Sequence, residues 1–445
     1  MRVFASYSKG DIIMKKIIIA SLLVLAIMVP VFANAAEEKI DETAPVTIEF
    51  WTHEDASRQA LEDKWIEEFR QIHPNVTVNV TRQSAEKLRE LIQTAYAAGQ
   101  GPTMWNLPIE NAHQYIEEGL VSKVDYKTVG FKDAKDMLNK YADGMIDAVL
   151  YDGELYGLPL ELTNWSIFIN KKVFKAAGLD PEKDYPKTWE DMVAVSEKIV
   201  QRNGEIITRR GFDFRYSYSL TYFVPMVEQL GGELSAKDGC VNKDAWVKAL
   251  TFMQNWGPNG KNLGNPTLTA ARKLFNKDNG DIAMANTGLY QEARIKSDNP
   301  DFGNSDDWMV VPYPVFKDAV KDVAGCYYGH YYMVNSESSS AEQKMAWELI
   351  KYFLLSEGHA ELYLTEVGLI QPLKTLMNSD TYKGMPYSQV FSDDFARSHI
   401  LYYGKNAAAV QTAIDTAIKN VMLQGVKPAD AYETMQSAVL ELIND

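Results

Sequence analysis

Tyr151-Asp152-Gly153-Glu154-Leu155-Tyr156-Gly157-Leu158-Pro159, continuing through Thr163-Asn164-Trp165 to Phe168-Ile169-Asn170-Lys171, is the pivot of this chain. Asp152-Gly153 is a turn signal, and Leu158 is held extended because the α region is disfavoured before proline. The mostly apolar run 165–169 reads as a buried strand. Polar Thr163 and Asn164 therefore lie between two sheet-forming segments, a place for the chain to pass from one lobe to another.

Upstream, β-rich residues 46–51 form a first strand that ends in polar Thr52-His53-Glu54-Asp55. Ligands of open α/β sheets sit beyond the carboxyl ends of strands, so these four are the first site candidates. A helix carries Leu61, Trp65, Phe69 and Ile72 on one face and stops at His73-Pro74. A strand at 76–80, a helix with Leu88, Leu91, Ile92 and Ala95, and a strand at 103–107 complete a βαβαβ rhythm. That rhythm implies a parallel sheet covered by helices on both faces. Further on, Thr188 with Asp191 and Ser340 with Gln343 read as capping boxes. Gly425 ends one helix and Pro428 opens the last.

The ordered series from Asp152 to Asn170-Lys171, then Phe174-Lys175-Ala176-Ala177-Gly178-Leu179-Asp180 and Pro186-Lys187-Thr188-Trp189-Glu190-Asp191, resembles the family 1 extracellular solute-binding proteins of ABC sugar importers. Gly231-Gly232-Glu233-Leu234, Gly288-Leu289-Tyr290 and Gly368-Leu369-Ile370-Gln371-Pro372 extend the likeness over nearly the whole chain. The chain departs from it at Pro102-Thr103-Met104-Trp105-Asn106, where relatives carry an acid after the proline, and by a longer spacing before Gly280. The resemblance implies an α/β, two-lobed periplasmic binding protein fold, with a mainly parallel sheet in each lobe and three hinge crossings. The crossings fall near 161–166, 325–330 and 368–372. Lobe 1 then comprises residues 46–162 and 331–367, and lobe 2 residues 163–330 and 368–445. The implied function is binding of a carbohydrate and its delivery to the membrane permease subunits of an importer, as a monomer and without a cofactor.

A sugar offers apolar C–H faces and a rim of hydroxyls, so its pocket needs flat rings and amide, carboxylate or hydroxyl partners. Trp51, Trp165, Tyr222, Tyr290, Tyr327 and Tyr328 are the candidate plates. Trp51 and, still more, Trp105 also fit core positions within strands. His53, Glu54, Asn106, Glu110, Thr163, Asn164 and His330 are the principal candidate hydrogen-bonding groups, with Asp55, Asn111 and Thr221 beside them. By resemblance, Tyr290 stands where relatives place a stacking aromatic. The acidic, amide-rich rim favours neutral saccharides over uronates, with Arg82, Arg215 and Arg397 as the cations that could enter the cleft. Two other readings compete: a polysaccharide-degrading enzyme, and a ferric-iron binder using Tyr327-Tyr328, Tyr331-Tyr332 and Tyr402-Tyr403. No nucleophile elbow, zincin motif, P-loop or dinucleotide fingerprint occurs. Adjacent strand residues point to opposite faces, which weakens the tyrosine doublets as metal ligands.

Basic Lys15-Lys16, an apolar run at 17–29 and Ala33-Asn34-Ala35 read as a cleavable signal peptide over 1–35, with an acidic tether at 36–45. The expected destination is the periplasm, with no lipid anchor because no cysteine lies near the cleavage site. The formal net charge of −15 argues against nucleic acid and anionic membrane surfaces as partners. The two cysteines, Cys240 and Cys326, are expected to be free thiols, and no cysteine–histidine cluster suggests a metal.

Overall fold

The computed structural model describes residues 43–268, 270–400, 402, 404 and 406–444. The expected signal peptide, most of the 36–45 tether and Tyr403 lie outside the described residues. In chain order the principal elements are β1 (Val46–His53), α1 (Ala56–Ile72), β2 (Val76–Gln83), α2 (Ala85–Ala97), β3 (Met104–Pro108) and α3 (Ile109–Glu117). The pivot stretch follows: a hairpin of Leu150–Tyr151 with Glu154–Leu155, then β4 (Leu158–Thr163) and β5 (Ser166–Asn170). Next come α4 (Trp189–Ile199), β6 (Gln201–Asn203), β7 (Ile206–Phe212), α5 (Ser219–Gln229), α6 (Lys243–Trp256), β8 (Ile282–Thr287), α7 (Gln291–Asp298) and β9 (Trp308–Val311). The chain closes with β10 (Cys326–Val334), α8 (Ser340–Leu355), α9 (His359–Val367), α10 (Ser388–Ala396), β11 (His399–Ile400), α11 (Ala407–Leu423) and α12 (Pro428–Asn444).

Two sheets result. The first runs β11–β10–β3–β1–β2, with β4 also on β10. Its β1, β2 and β3 are parallel, as the βαβαβ rhythm requires, while β10 runs antiparallel to both β3 and β4. The second sheet, β9–β5–β8–β7–β6, has a single parallel pair, β8 with β7. Both are therefore mixed, and the second is mainly antiparallel rather than mainly parallel. The reason is local: β5 enters from the first sheet and pairs antiparallel with both β8 and β9. β7 and β8, joined by a crossover that contains α5 and α6, form its parallel pair.

Each sheet has its own core. Phe50, Trp65, Trp105, Tyr332, Trp347 and Phe353 pack about the first. Trp189, Phe212, Trp246 and Trp256 on one side, and Phe168, Phe275, Trp308 and Phe391 on the other, pack about the second. Along α1, Leu61, Trp65 and Phe69 are buried as the spacing predicts, whereas Ile72 is 59% exposed in the last turn. Thr188 and Asp191 form the expected capping box. The box on α8 is Ser339 with Glu342, one residue earlier than expected, and Gln343 instead donates to the carbonyls of Ser336 and Ser338. Cys240 and Cys326 are both buried and free.

The chain passes between the sheets at three main places, and the two-residue β11 later pairs at the edge of the first sheet with Cys326 and Tyr327. The first passage is Asn164-Trp165, between β4 and β5, and the third is at 368–372, where Leu162 donates to the Ile370 carbonyl. The second is expected at 325–330, where the start of β10 meets both cores: Cys326 packs in the second and Tyr327 in the first. All of 326–334 is strand, paired with β3, β4 and β11, and Thr163 is the last residue of β4. Gly329 shows why the stretch continues as strand. It looks like a breaker in sequence, but it lies inside β10 where a Cβ would overlap the carbonyl oxygen of Glu161 on β4. The glycine closes two strands together instead of ending one. Gly329→Ala is expected to cost more than about 2 kcal/mol, since the clash is with backbone. A urea-midpoint comparison checks this.

Candidate functional site

A cavity of about 260 Å³ opens beyond the carboxyl ends of β1, β3 and β4, walled on the other side by residues around α5, α7 and α11. Asp55, which lines it, is also the N-cap of α1, accepting from the backbone N–H groups of Ser57 and Arg58. That cap fixes where α1 begins, and so sends Arg58 inward from the first turn.

Arg58 is 1% exposed and meets Glu161 of β4, itself 5% exposed. A buried carboxylate needs several partners to offset its desolvation. Glu161 has them: Oε1 accepts from His330 Nδ1 at 3.0 Å, and Oε2 lies 3.4 Å from Arg58 and accepts from Tyr363. Arg58 also pairs with Glu62 at 3.1 Å, which in turn takes Arg82 at 3.4 Å and the Tyr332 hydroxyl at 2.9 Å. Burial pushes the Glu161 carboxyl up, but Arg58 and His330 together hold it well below the usual carboxylate range.

His53 and His330 stack at 3.8 Å between ring centroids. Arg58 donates to His53 Nε2 at 3.0 Å, so the proton of that ring sits on Nδ1, which donates to Asn106 Oδ1 at 2.8 Å. Burial, then the His330 and Arg58 charges, keep His53 neutral, well below the ordinary histidine pKa. His53, Glu161 and His330 have ligand atoms close enough to hold a metal ion. The chemistry opposes one: both His53 nitrogens are engaged, and the Arg58 guanidinium occupies the same carboxylate. His330 Nε2 has no hydrogen-bond partner among the described residues and remains available to a ligand.

The facing wall is cationic. Gly288, where a Cβ would overlap Thr163 Oγ1, lets the start of α7 approach β4 closely, and Tyr290 follows two residues on. Arg215 donates to the Tyr290 hydroxyl at 3.1 Å, and Arg294 covers the Tyr290 ring at 4.4 Å. Arg215 itself lies 4.4 Å over both Trp165 and Tyr218. Arg294 reaches across the cavity to Asp55 at 3.5 Å. Between the walls stands Glu110, whose Oε2 is shut off from solvent with no partner among the described residues.

The profile of the bacterial extracellular solute-binding proteins matches residues 64–387 of this sequence. The chain belongs to that family. Among curated relatives, the maltotriose-binding protein of Pyrococcus abyssi is 22% identical over 388 residues, covering 85% of this chain and 78% of the relative. Among solved structures, an ABC transporter solute-binding protein of Thermotoga lettingae bound with α-D-tagatose superposes with a TM-score of 0.76. The two are 18% identical over 89% of this chain and 99% of that one. The maltose/maltodextrin-binding domain of Bdellovibrio bacteriovorus bound to maltotriose gives 0.75, at 20% identity over 90% and 100%. These structures share the two-lobed α/β fold.

In this solute-binding protein the cavity brings together six of the principal candidates from sequence, His53, Glu110, Thr163, Tyr290, Tyr328 and His330, and Asp55 and Thr221 with them. Seven others do not line it. Glu54 is exposed beside the Asp55 cap, and Trp51 packs half-buried against the first core. Asn106 is buried behind His53, and Asn164 donates to the Phe391 carbonyl at 3.1 Å. Trp165 is 2% exposed, with Arg215 over its ring, so it supports a cation instead of stacking on a ligand. Tyr222 is fully buried in the second core, and Tyr327 stacks on Phe395 and donates to the Gly144 carbonyl. The lining residues not singled out include Glu161, Tyr218, Arg294 and Gln411; Arg215 was one of three possible cleft cations. The other two are engaged elsewhere, Arg82 with Glu62 and Asp63 and Arg397 with Asp394 and Asp322.

Two outcomes follow for the free protein. Removing the cation from a buried pair typically costs about 3–5 kcal/mol, and Arg58→Met, which strands Glu161 and Glu62, is expected to do so in chemical denaturation. Burial raises Glu110 to about 7 against weaker opposition from its own backbone N–H and Arg89. Its unfolded form ionises first, so its contribution is complete below the ordinary carboxylate pKa and is lost as pH rises through about 7. Glu110→Gln is therefore expected to melt progressively higher than the parent as pH rises from 4.5 to 8. Parallel melting curves across that range would contradict this.

Proposed function

We propose that this protein is the solute-binding component of an ABC importer, holding a sugar or short oligosaccharide in the cavity between its lobes and presenting it to membrane permease subunits. The observation that carries this reading is that one cavity is walled by both halves of a chain that crosses between two sheets at three main places. The maltotriose, tagatose and maltodextrin ligands of its relatives support it. The cavity offers what a saccharide needs: the rings of Tyr290 and Tyr328, and the polar groups of Glu110, Thr163, Thr221, His330 and Gln411. We assign residues 46–163 and 326–367, with the edge strand β11, to one lobe and the rest of 164–325 and 368–445 to the other. A ligand touching both lobes favours the closed arrangement by its differential affinity. The protein works as an exported monomer in the periplasm and needs no cofactor.

Hydrolysis is disfavoured by the state of the carboxyls. A glycosidase pairs a protonated acid with a second free carboxylate. Here Glu161 is saturated by Arg58, Tyr363 and His330, and Asp55 by its helix cap and Arg294. Iron ligation by tyrosine doublets is disfavoured too. Tyr331 donates to the Met145 carbonyl and Tyr332 to Glu62, so that pair is engaged in the core.

Thermal-shift screening against mono-, di- and oligosaccharides is expected to yield a stabilising ligand, recovered chemically unchanged after incubation. Stabilisation by no saccharide would contradict the reading, and a cleaved product would return the enzyme. Tyr328→Ala removes a ring from the cavity wall and is expected to weaken that ligand about ten-fold or more, or roughly 1.4 kcal/mol, by calorimetry.

A further inference from the structure

Resting on that reading, we infer that the saccharide is anionic, with its carboxylate or other acidic group seated on Arg215 and the sugar hydroxyls turned towards Glu110 and His330. The starting point is a count of spent and unspent charge. Of the three acids lining the cavity, Glu161 is neutralised by the Arg58 network, Asp55 is shared between a helix cap and Arg294, and burial raises Glu110 to about 7. Arg215 has no carboxylate within 4 Å among the described residues. Its contacts are the Trp165 and Tyr218 rings and one hydrogen bond to the Tyr290 hydroxyl.

A guanidinium has five N–H donors, so Arg215 retains several for a ligand. The two rings and the tyrosine hold it in one place, which favours a planar, two-point partner such as a carboxylate. A side chain that served only to pack on Trp165 would not need to line the cavity. Arg215 does, and it lines a second recess as well.

That adjoining recess, of about 200 Å³, lies on Arg215 and Tyr218 and is completed by Arg272 and Lys273, with no acidic residue among its lining. Arg272 hydrogen-bonds to Gln291, and it too has no carboxylate within 4 Å among the described residues. Cationic side chains thus continue from the cavity wall into a neighbouring space. Such an arrangement suits a chain of charged sugar units better than a single charged ring. The local field is strong enough to register on Tyr290. Burial alone would raise its phenol, yet Arg215, Arg294 and Arg272 draw it down to about 7.

The test is calorimetric titration of the whole protein with matched probes: glucose and glucuronate, galactose and galacturonate, a neutral and a uronic disaccharide, and glucose 6-phosphate. The inference expects a uronate or sugar phosphate to bind at least about ten-fold tighter than its neutral partner, and which of the two binds identifies the acidic group. Arg215→Gln should abolish that preference while the variant still binds the neutral partner, and Arg215→Lys should restore part of it. Equal or tighter binding of neutral sugars overturns the inference and leaves the sugar-binding reading standing. Binding of no probe of either class overturns both. If the preference survives in Arg215→Gln, a different cation carries it and the assignment to Arg215 fails.

Discussion

One buried carboxylate organises the floor of this site. Glu161 interrupts the apolar strand Leu158–Thr163, a position where an unpaired charge would be prohibitive. The partners that make it tolerable come from three separate elements: Arg58 from α1, His330 from β10 and Tyr363 from α9. Satisfying one charge therefore fixes the relative positions of strands and helices distant in sequence. It also sets the hydrogen bonding of the stacked histidines, because Arg58 claims the lone pair of His53 and Glu161 accepts from His330 Nδ1. What is left facing the cavity is a neutral rim with one open histidine nitrogen.

The opposite wall is built on the reverse principle. There the charges are positive and are steadied by rings: Arg215 on Trp165 and Tyr218, Arg294 on Tyr290. Cation–π contacts hold a guanidinium in place without neutralising it, as a carboxylate would. Asp55 to Arg294 is the direct ionic link across the gap, and it is long and partly exposed. A link of that kind contributes little on its own.

Much of this was legible in sequence, to within a residue. The strand–crossing–strand pivot, the βαβαβ start and the rule that ligands gather beyond strand ends led directly to His53, Glu110 and Thr163. What sequence left open was the side on which each neighbouring pair would fall. Asp55 faces the cavity while Glu54 faces solvent, and Thr163 lines it while Asn164 turns to Phe391. Thr221 lines it while Tyr222, about 100° further round α5, is buried in the core. Tyr328 lines it while Tyr327, on the other face of β10, packs on Phe395. Local periodicity cannot tell a core face from a cleft face, because both are apolar and sheltered. Glu161 did leave a signal: an acid inside a buried strand requires a cation, and only tertiary packing reveals that the cation is Arg58. Of the arginines on the far wall, Arg215 was one of three cations open to the cleft, whereas Arg294 left no signal.

The most direct measurement is a crystal structure of the protein grown with the saccharide that most raises its melting temperature. The account predicts one sugar ring seated between the walls, touching Glu110 or His330 on one side and Tyr290 or Arg215 on the other. Density for the sugar outside this cavity, or contacts confined to a single sheet and its helices, would contradict it.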